Sequence, residues 1–214
     1  MRCRNVGILR KQDALQLLAV GPLARASGVS KDVRQDQPYA AYADIGMKAV
    51  MPDTVTGKIV GDVYDRIIVR LLEVTQSIDI IEKCIARMPG GPILTETRMP
   101  RLLKQLVDAE GEGIGRVEAP RGEDIHYVRL EAGMTPLASW HVRAPTYVNL
   151  IAVPKMLIGM QIADVPITFA SIDPCMSCTN RMTITDRAAG TSSIMTYEEM
   201  HRLSVEKTRR LSGC

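Results

Sequence analysis

Two cysteines near the end of the sequence have a spacing that suits chemistry. Cys175 and Cys178 lie in the segment SIDPCMSCTNRM, directly after Asp173 and Pro174. Two thiolates separated by two residues can bind one metal ion, because a turn lets both sulfur atoms face the same point. The same spacing also suits a redox-active dithiol or two structural thiols. The spacing alone leaves these three roles open.

The rest of the sequence completes neither a metal site nor a thioredoxin-type redox site around these cysteines. Zinc and iron-sulfur sites need about four protein ligands, and the sequence has no second CxxC motif or nearby histidine cluster. A thioredoxin-type dithiol follows a strand at the start of a helix in a βαβ unit, and that alternation is absent. The five cysteines are odd in number and irregularly spaced, which argues against a disulfide framework.

The composition excludes several classes of protein. The sequence is 46% hydrophobic and 24% charged, as expected for a globular chain. The net charge of +3 comes from scattered basic residues, so a nucleic-acid partner is not expected. The longest apolar region, 148–170, contains Pro154, Lys155 and Asp164, and it falls short of the roughly 18 to 20 apolar residues of a membrane span. The sequence start lacks a secretory signal, and we expect a cytoplasmic location.

The clearest periodic pattern predicts one long helix over 64–88. Apolar residues recur there at helical spacing and end at a Pro-Gly-Gly-Pro segment; they are Ile67, Ile68, Leu71, Leu72, Val74, Ile78, Ile81 and Ile85. At 1.5 Å per residue the helix would be roughly 35 Å long. This length suits the spine of a helical bundle.

Shorter patterns complete the prediction of the fold. Helices are expected over 12–20 and 100–110, and an apolar helical pattern over 147–161 is broken at Pro154. The segments GRVEA, IHYVRLE and ASWHVR alternate apolar and polar residues, which predicts a small antiparallel sheet. The expected class is therefore mainly α (α+β): a helical bundle with a long central helix and a small antiparallel sheet.

Three other segments carry weaker expectations. Residues 21–42 are expected to form an irregular surface loop, in which Asp32 and Arg34 line either a proton route or a subunit contact. The segment ADVPITFASIDPC is expected to be extended. Thr196 and Glu199 form a capping-box pattern, which predicts a charged helix from there to about residue 212.

Several segments, in order, resemble the large subunit of NiFe hydrogenases. SIDPCMSCTNRM resembles the family's C-terminal cysteine motif, DPCxxC, with Arg181 where many members have His. Residues 118–122 are similar to the family's EAPRG segment. HVRAPTYVNL resembles the stretch before the cysteine motif in the energy-converting, membrane-associated branch. GPLARASGVSKDVRQDQPY and GDVYDRIIVRLLEVTQSI resemble both that branch and the related large subunit of respiratory complex I.

The resemblance implies a set of site residues. Cys175 would be a terminal nickel ligand that exchanges a proton, and Cys178 would bridge nickel to an iron that carries cyanide and carbon monoxide. Arg121 would hold its guanidinium over the open coordination position and polarise or orient H₂. Thr146 would hydrogen-bond a cyanide ligand. Asp173 would brace the cysteine turn by accepting backbone N–H bonds.

The sequence also departs from the family. Full-length large subunits begin with another cysteine pair, usually within CGIC, which supplies the other two thiolates; this sequence lacks it. We therefore expect residues 1–181 to be the C-terminal part of the hydrogenase domain that forms the large subunit, and 182–214 to be a tail with the capped helix. A split subunit, a gene fragment and a degenerate scaffold remain open. A lone half would expose apolar surface meant for its partner.

These observations lead to one leading hypothesis and two alternatives. The first is the catalytic C-terminal portion of a NiFe hydrogenase, peripheral to the inner face of the cell membrane. Its partners would be an iron-sulfur small subunit, a polypeptide with the missing cysteine pair, and membrane subunits. The second is a metal-free complex I-like fragment at a quinone or subunit interface. The third is a thiol-redox protein that uses Cys175 and Cys178.

Overall fold

The chain forms two compact units, residues 1–174 and 175–214. The computed structural model describes residues 3–94, 96–133, 137–179, 181–186 and 188–212. Helices dominate the first unit, and its sheet has three antiparallel strands. This arrangement confirms the predicted mainly helical class with a small antiparallel sheet. Among the described helices, none combines the length and apolar character that crossing a bilayer requires.

The first unit has one long helix and several short ones. In chain order they are α1 (Lys11–Gln16), α2 (Gly21–Ala26), α3 (Val33–Asp36), α4 (Tyr42–Ile45), α5 (Asp53–Thr56), α6 (Val63–Arg87), α7 (Met99–Asp108), α8 (Pro145–Leu150), α9 (Val153–Leu157), a 3₁₀ turn (Ile162–Asp164) and α10 (Val165–Ser171). A small core of aliphatic residues and one methionine joins α1, α2 and α9; its buried members are Leu9, Ala14, Ala19, Leu23, Ala24, Ala152, Met156 and Ile172.

The predicted strands pair as expected. They are β1 (Gly111–Ala119), β2 (Gly122–Leu130) and β3 (Ser139–Arg143), with β2 in the centre. Arg116 on β1 and Arg143 on β3 both lie opposite Ile125 on β2. Alternate residues of a strand share a face, so this register places Glu118 and Glu123 on the same face as the two arginines.

The long helix α6 begins where acidic residues cap it. Asp62 accepts a hydrogen bond from the Asp65 backbone N–H at 2.9 Å, and Asp65 accepts from the backbone N–H groups of Val60 and Gly61 at 2.7 and 2.8 Å. These bonds satisfy donors at the helix start. The helix ends at Arg87, before Pro89, close to the predicted position.

The second unit consists of a hairpin and a helix. Strand β4 (Arg181–Asp186) pairs with β5 (Thr191–Thr196), and α11 (Tyr197–Ser212) follows. The Glu199 carboxylate accepts from the Thr196 backbone N–H at 2.8 Å, and the Glu199 N–H donates to the Thr196 hydroxyl at 3.3 Å. The reciprocal pair confirms the predicted capping box.

The prediction of an extended segment after residue 162 was wrong. Residues 165–171 form α10, which begins at Val165 and has Pro166 in its first turn. Proline is favoured there because its missing N–H has no partner in the helix and its fixed φ suits helical backbone. The proline therefore marks a helix start and not an extended strand.

The prediction of a surface loop over 21–42 was also wrong. Every residue of α2 is buried, and Arg25 lies at the centre of a buried ion cluster. Its Nε donates to Glu73 at 2.8 Å and its Nη1 to Glu118 at 2.8 Å, while Nη1 lies 3.2 Å from Asp32. The cluster fixes α2, α6 and β1 relative to one another, because a buried charge without its partner destabilises the fold by several kcal/mol.

Two glycines allow α2 to meet the turn between β1 and β2. Gly21 has φ +64°, and a Cβ atom there would lie 2.4 Å from the Gly122 Cα. Gly122 has φ +123°, and its added Cβ would lie 2.6 Å from the Gly21 nitrogen. Both the left-handed backbone and the contact therefore require glycine. This contact holds the turn that contains Arg121 against the start of α2.

Gly122→Ala is therefore expected to lower the free energy of unfolding by about 2–4 kcal/mol, because it adds both a clash and backbone strain. Gly115→Ala is the matched control on the same sheet, since no atom lies within 4 Å of its added Cβ. The control should change stability by less than about 0.5 kcal/mol. Urea unfolding followed by circular dichroism measures both, and equal effects would contradict the close-packing explanation.

Glu118 and Glu123 should affect the pH dependence of stability in opposite directions. Burial raises the pKa of Glu118 above its ordinary value of 4.5. Burial also acts to raise the pKa of Glu123, but hydrogen bonding to Arg116 and the charges of Lys31, Arg116 and Arg143 lower it overall. A carboxyl whose pKa is higher in the folded state than in the unfolded state stabilises the fold fully below pH 4.5, and this stabilisation is lost as the pH rises. A carboxyl whose pKa is lower in the folded state stabilises the fold above pH 4.5, and this stabilisation is lost on acidification.

Glu118→Gln should therefore remove part of the stability loss that accompanies a rise in pH above 4.5. Glu123→Gln should remove part of the loss that accompanies acidification through and below that value. Free energies of unfolding across pH 3 to 8, taken as roughly the usable range for carboxyl titration, test both variants. The explanation fails if the two variants change the pH profile in the same direction.

Candidate functional site

Arg121 and Asp173 are 52 positions apart in the sequence but are joined by a two-point contact. The Arg121 Nε donates to the Asp173 backbone carbonyl at 2.6 Å, and its Nη2 donates to the Asp173 Oδ1 at 3.2 Å. Because the guanidinium is planar, two donors bound at once fix its orientation as well as its position. Arg121 keeps 29% of its side chain exposed. It is therefore oriented, charged and accessible.

Asp173 has an unusual backbone conformation. Its φ of +56° lies in the left-handed region, which Asp tolerates better than most residues do. The carbonyl that Arg121 binds belongs to this residue, and Pro174 follows directly. The proposal that the Asp173 carboxylate also braces the cysteine turn stays a prediction.

Asn149 holds the Arg121 turn in place, and the sequence analysis missed it. Its side-chain nitrogen donates to the Arg121 carbonyl at 3.1 Å, and its side-chain oxygen accepts from the Val20 N–H at 3.0 Å. Asn149 is buried on α8. It thus joins α8, the start of α2 and the β1–β2 turn. The Asn in APTYVNL was the available signal, but an isolated Asn gives no indication of its partners.

Thr146 lies in the first turn of α8 and is buried. It is three residues before Asn149, so the two share one side of the helix. The same short helix therefore carries both the predicted cyanide-binding hydroxyl and the amide that supports the Arg121 turn. The role of Thr146 stays a prediction.

Asp32 and Arg34 belong to the buried ion cluster. Asp32 caps α3 by accepting from the Arg34 backbone N–H at 3.0 Å, and it also binds the Arg34 guanidinium at 2.9 and 2.6 Å. The Asp32 side chain has no exposed surface. It therefore does not itself form a subunit surface, and a part for Asp32 and Arg34 in a proton route stays a prediction.

Cys175 and Cys178 stand at the two ends of a tight turn at the start of the second unit. The Cys178 backbone N–H donates to the Cys175 carbonyl at 3.2 Å, which closes the turn. The Thr179 hydroxyl donates to the same carbonyl at 2.9 Å. The Cys175 sulfur lies 3.0 Å from the Ser177 hydroxyl oxygen. Both cysteines are half-buried, so the turn is ordered by hydrogen bonds without full burial of either residue.

This donor set fits part of a metal site. Thiolates are soft ligands, and they suit nickel and iron bound in a sulfur-rich centre. Within the residues that the structure describes, no group of three or more His, Cys, Asp or Glu side chains could hold a metal ion. The cysteine turn can thus supply two ligands, and a complete centre needs further ligands.

Comparisons with known proteins agree with the motifs. The sequence profile of the family described as "Respiratory-chain NADH dehydrogenase, 49 Kd subunit" matches residues 1–181. The chain is 42% identical to the membrane-bound hydrogenase subunit alpha of Pyrococcus furiosus, over 99% of this chain and 49% of that protein. It is 35% identical to formate hydrogenlyase subunit 5 of Escherichia coli, over 97% of this chain and 34% of that protein.

A third relative belongs to the respiratory enzymes. The chain is 38% identical to an NADH-quinone oxidoreductase subunit of Herpetosiphon aurantiacus, over 84% of this chain and 46% of that protein. The chain thus spans between 34% and 49% of the length of these three relatives. The predicted resemblance is confirmed: the chain belongs to the family of the 49 kDa subunit of respiratory-chain NADH dehydrogenase, and its relatives include large subunits of energy-converting membrane-bound hydrogenases.

Proposed function

We propose that this chain is the C-terminal catalytic portion of a NiFe hydrogenase large subunit, which interconverts H₂ with protons and electrons. Cys175 and Cys178 supply two thiolates to the centre, and sulfurs outside these 214 residues supply the rest. One observation carries the proposal: the two-point contact of Arg121 with Asp173, two residues before Cys175 in the sequence. A fixed cation is thereby bound to a residue that precedes the cysteine pair by two positions in the sequence.

The nickel-iron centre, when bound, supplies the chemistry of heterolytic H₂ cleavage. The protein's own residues contribute electrostatic stabilisation and proton transfer. The Arg121 guanidinium is held in a fixed orientation, so it stabilises negative charge that develops beside it without first having to reorganise. The Cys175 sulfur holds and exchanges a proton, and the Ser177 hydroxyl 3.0 Å away is its hydrogen-bond neighbour.

Thr146 and Asp173 support the site in this proposal. Thr146 would hold a cyanide ligand through its hydroxyl, and it lies on α8, the helix that Asn149 joins to the Arg121 turn. Asp173 holds the Arg121 side chain through its carboxylate and its backbone carbonyl. Removal of either of the two Asp173 contacts would allow the Arg121 guanidinium to rotate out of this orientation.

The proposal includes partners and a location. Electrons pass to an iron-sulfur small subunit, since the sequence has only five cysteines and no cluster motif of its own. A polypeptide with the second cysteine pair completes the centre. Membrane subunits complete the assembly, which lies peripheral to the inner face of the cell membrane. The relative from Pyrococcus furiosus, named a membrane-bound hydrogenase subunit, supports the association with a membrane.

A second candidate function has its own support. The matching family is described by a respiratory NADH dehydrogenase subunit, and one relative is an NADH-quinone oxidoreductase subunit. In that case the chain would be a metal-free module at a quinone or subunit interface. The retained cysteine pair favours the hydrogenase, and metal content separates the two.

The first test measures nickel and iron in the complex purified with its partner polypeptides. We expect nickel, together with iron in excess of that held by the iron-sulfur small subunit, and Cys178→Ser should abolish the nickel because one of its thiolate ligands would be lost. Cys84→Ser is the matched control: Cys84 is also half-buried, but it lies on α6. It should retain the wild-type metal content.

A folded complex without nickel, or equal metal content in the two cysteine variants, would contradict the hydrogenase and favour the metal-free module. A reversible dithiol potential in the metal-free chain would instead favour the thiol-redox alternative.

The second test replaces Arg121 with Lys. An ammonium group keeps the charge but cannot reproduce the forked contact with Asp173, so H₂ oxidation should fall about 100-fold or more. Arg129→Lys is the control, because Arg129 pairs with Glu131 in an exposed ion pair. Nickel content should stay at the wild-type level in both variants. Full activity of Arg121→Lys would show that the oriented guanidinium is not needed.

A further inference from the structure

One face of the three-stranded sheet holds a histidine whose protonation state is fixed by a hydrogen bond. His126 on β2 and Trp140 on β3 lie on this face, and the Trp140 Nε1–H donates to the His126 Nδ1 at 3.0 Å. An indole nitrogen can only donate, so the Nδ1 carries a lone pair and no proton. The His126 Nε2 lies 3.4 Å from the Asp124 Oδ2. The contact therefore requires a neutral His126 whose proton is on Nε2, beside the carboxylate.

A second proton on His126 would break this contact. It would occupy Nδ1, where it faces the Trp140 N–H, and two donors without an acceptor between them repel each other. The Asp124 carboxylate favours the resulting imidazolium, because its Oδ1 is buried and receives no hydrogen bond from the residues that the structure describes. Trp140 is the partner that can leave, since it is 58% exposed and lies on an edge strand.

No other strand residue on this face titrates in the same pH range. The remaining strand positions of the face are glycine, alanine or aliphatic: Gly111, Gly113, Gly115, Val117, Ala119, Gly122, Val128, Leu130 and Val142. Helices α2 and α8 pack against β2. The charged side chain of α2 is Arg25, which binds the carboxylates of the ion cluster, and the titratable group of α8 is the Tyr147 phenol. Guanidinium and phenol groups keep their charge state between about pH 5 and 8, where imidazole titrates.

We propose that His126 and Trp140 form a pH-sensitive latch, in which a neutral His126 holds the indole on the sheet and a protonated His126 releases it. The released indole turns towards solvent. Val128, which lies directly opposite Trp140 on β2, then becomes more exposed. Proton uptake thereby uncovers apolar surface on this face of the sheet. The latch needs neither a metal nor a partner polypeptide, so it goes beyond the proposed function and does not depend on it.

NMR spectroscopy of the full chain, uniformly labelled with ¹⁵N, tests the latch. The sequence contains one tryptophan, so the Trp140 indole N–H gives the one indole signal in the spectrum. As the pH falls from about 8 to about 5, this signal should move through one transition towards the position of an indole exposed to water, because imidazole takes up its proton in this range. The backbone amide signals of β1, β2 and β3 should persist, which would show that the fold is retained.

Two variants assign the transition to one histidine. His126→Phe removes both the acceptor and the titrating group, so the transition should disappear. At about pH 8 its indole N–H should exchange with water about two- to tenfold faster than in the wild type, as expected for the loss of one hydrogen bond. His141→Gln is the matched control, because His141 lies on the opposite face of the sheet beside Tyr127. It should leave both measurements at wild-type values.

Several results would overturn the latch. They are an indole signal that does not change with pH in the wild type, a transition that survives in His126→Phe, a transition that is lost in His141→Gln, and equal exchange rates in the wild type and His126→Phe. Loss of the backbone signals of the sheet together with the transition would show acid unfolding and would also overturn it. The wild-type titration needs no variant to fold. Nickel in the assembled complex is measured separately, so neither result decides the other.

Discussion

The orientation of one guanidinium depends on several buried contacts. Arg121 can bind Asp173 at two points because two contacts fix its turn. They are the close approach of Gly21 to Gly122 and the hydrogen bond from the Asn149 side chain to the Arg121 carbonyl. An arginine in a Pro-Arg-Gly turn would otherwise sample many rotamers in water. Restriction to one of them costs conformational entropy, and the buried scaffold supplies that restriction before any ligand arrives.

The scaffold itself relies on buried charge. Arg25 on α2 is surrounded by the carboxylates of Asp32, Glu73 and Glu118, which come from the start of α3, from α6 and from β1. Such a cluster is weak evidence for stability, because desolvation offsets much of the attraction. Its effect on geometry is clearer. The helices and the strand that carry these charged residues must keep their relative positions for Arg25 to pair with all three carboxylates. β1, which carries Glu118, leads directly into the Arg121 turn.

Local patterns predicted much of the fold. The long helix, the three strands and the capping box at Thr196 each follow from periodicity or from side-chain capping within a few residues. The segment 165–171 was assigned wrongly, and the structure shows that Pro166 lies in the first turn of a helix, where its missing N–H has no helical partner. The segment 21–42 was assigned wrongly because the surface loop was expected from composition alone, and only the tertiary structure shows Glu73 and Glu118 around Arg25.

The candidate site shows the same division. Cys175 and Cys178 were found from their spacing, and Arg121 from a short motif, but no local pattern predicts that Arg121 binds Asp173. Asn149 was missed because an amide's partners are set by the fold. The apolar side chains of α6 were visible in the sequence as a helix pattern, but only the structure shows which of them are exposed.

The central claim is that Cys175 binds nickel. Selenium X-ray absorption on the assembled complex, with selenocysteine in place of Cys175, tests this bond without any reliance on activity. The account predicts a nickel neighbour at bonding distance from the selenium. A selenium surrounded only by carbon, oxygen or sulfur would contradict it.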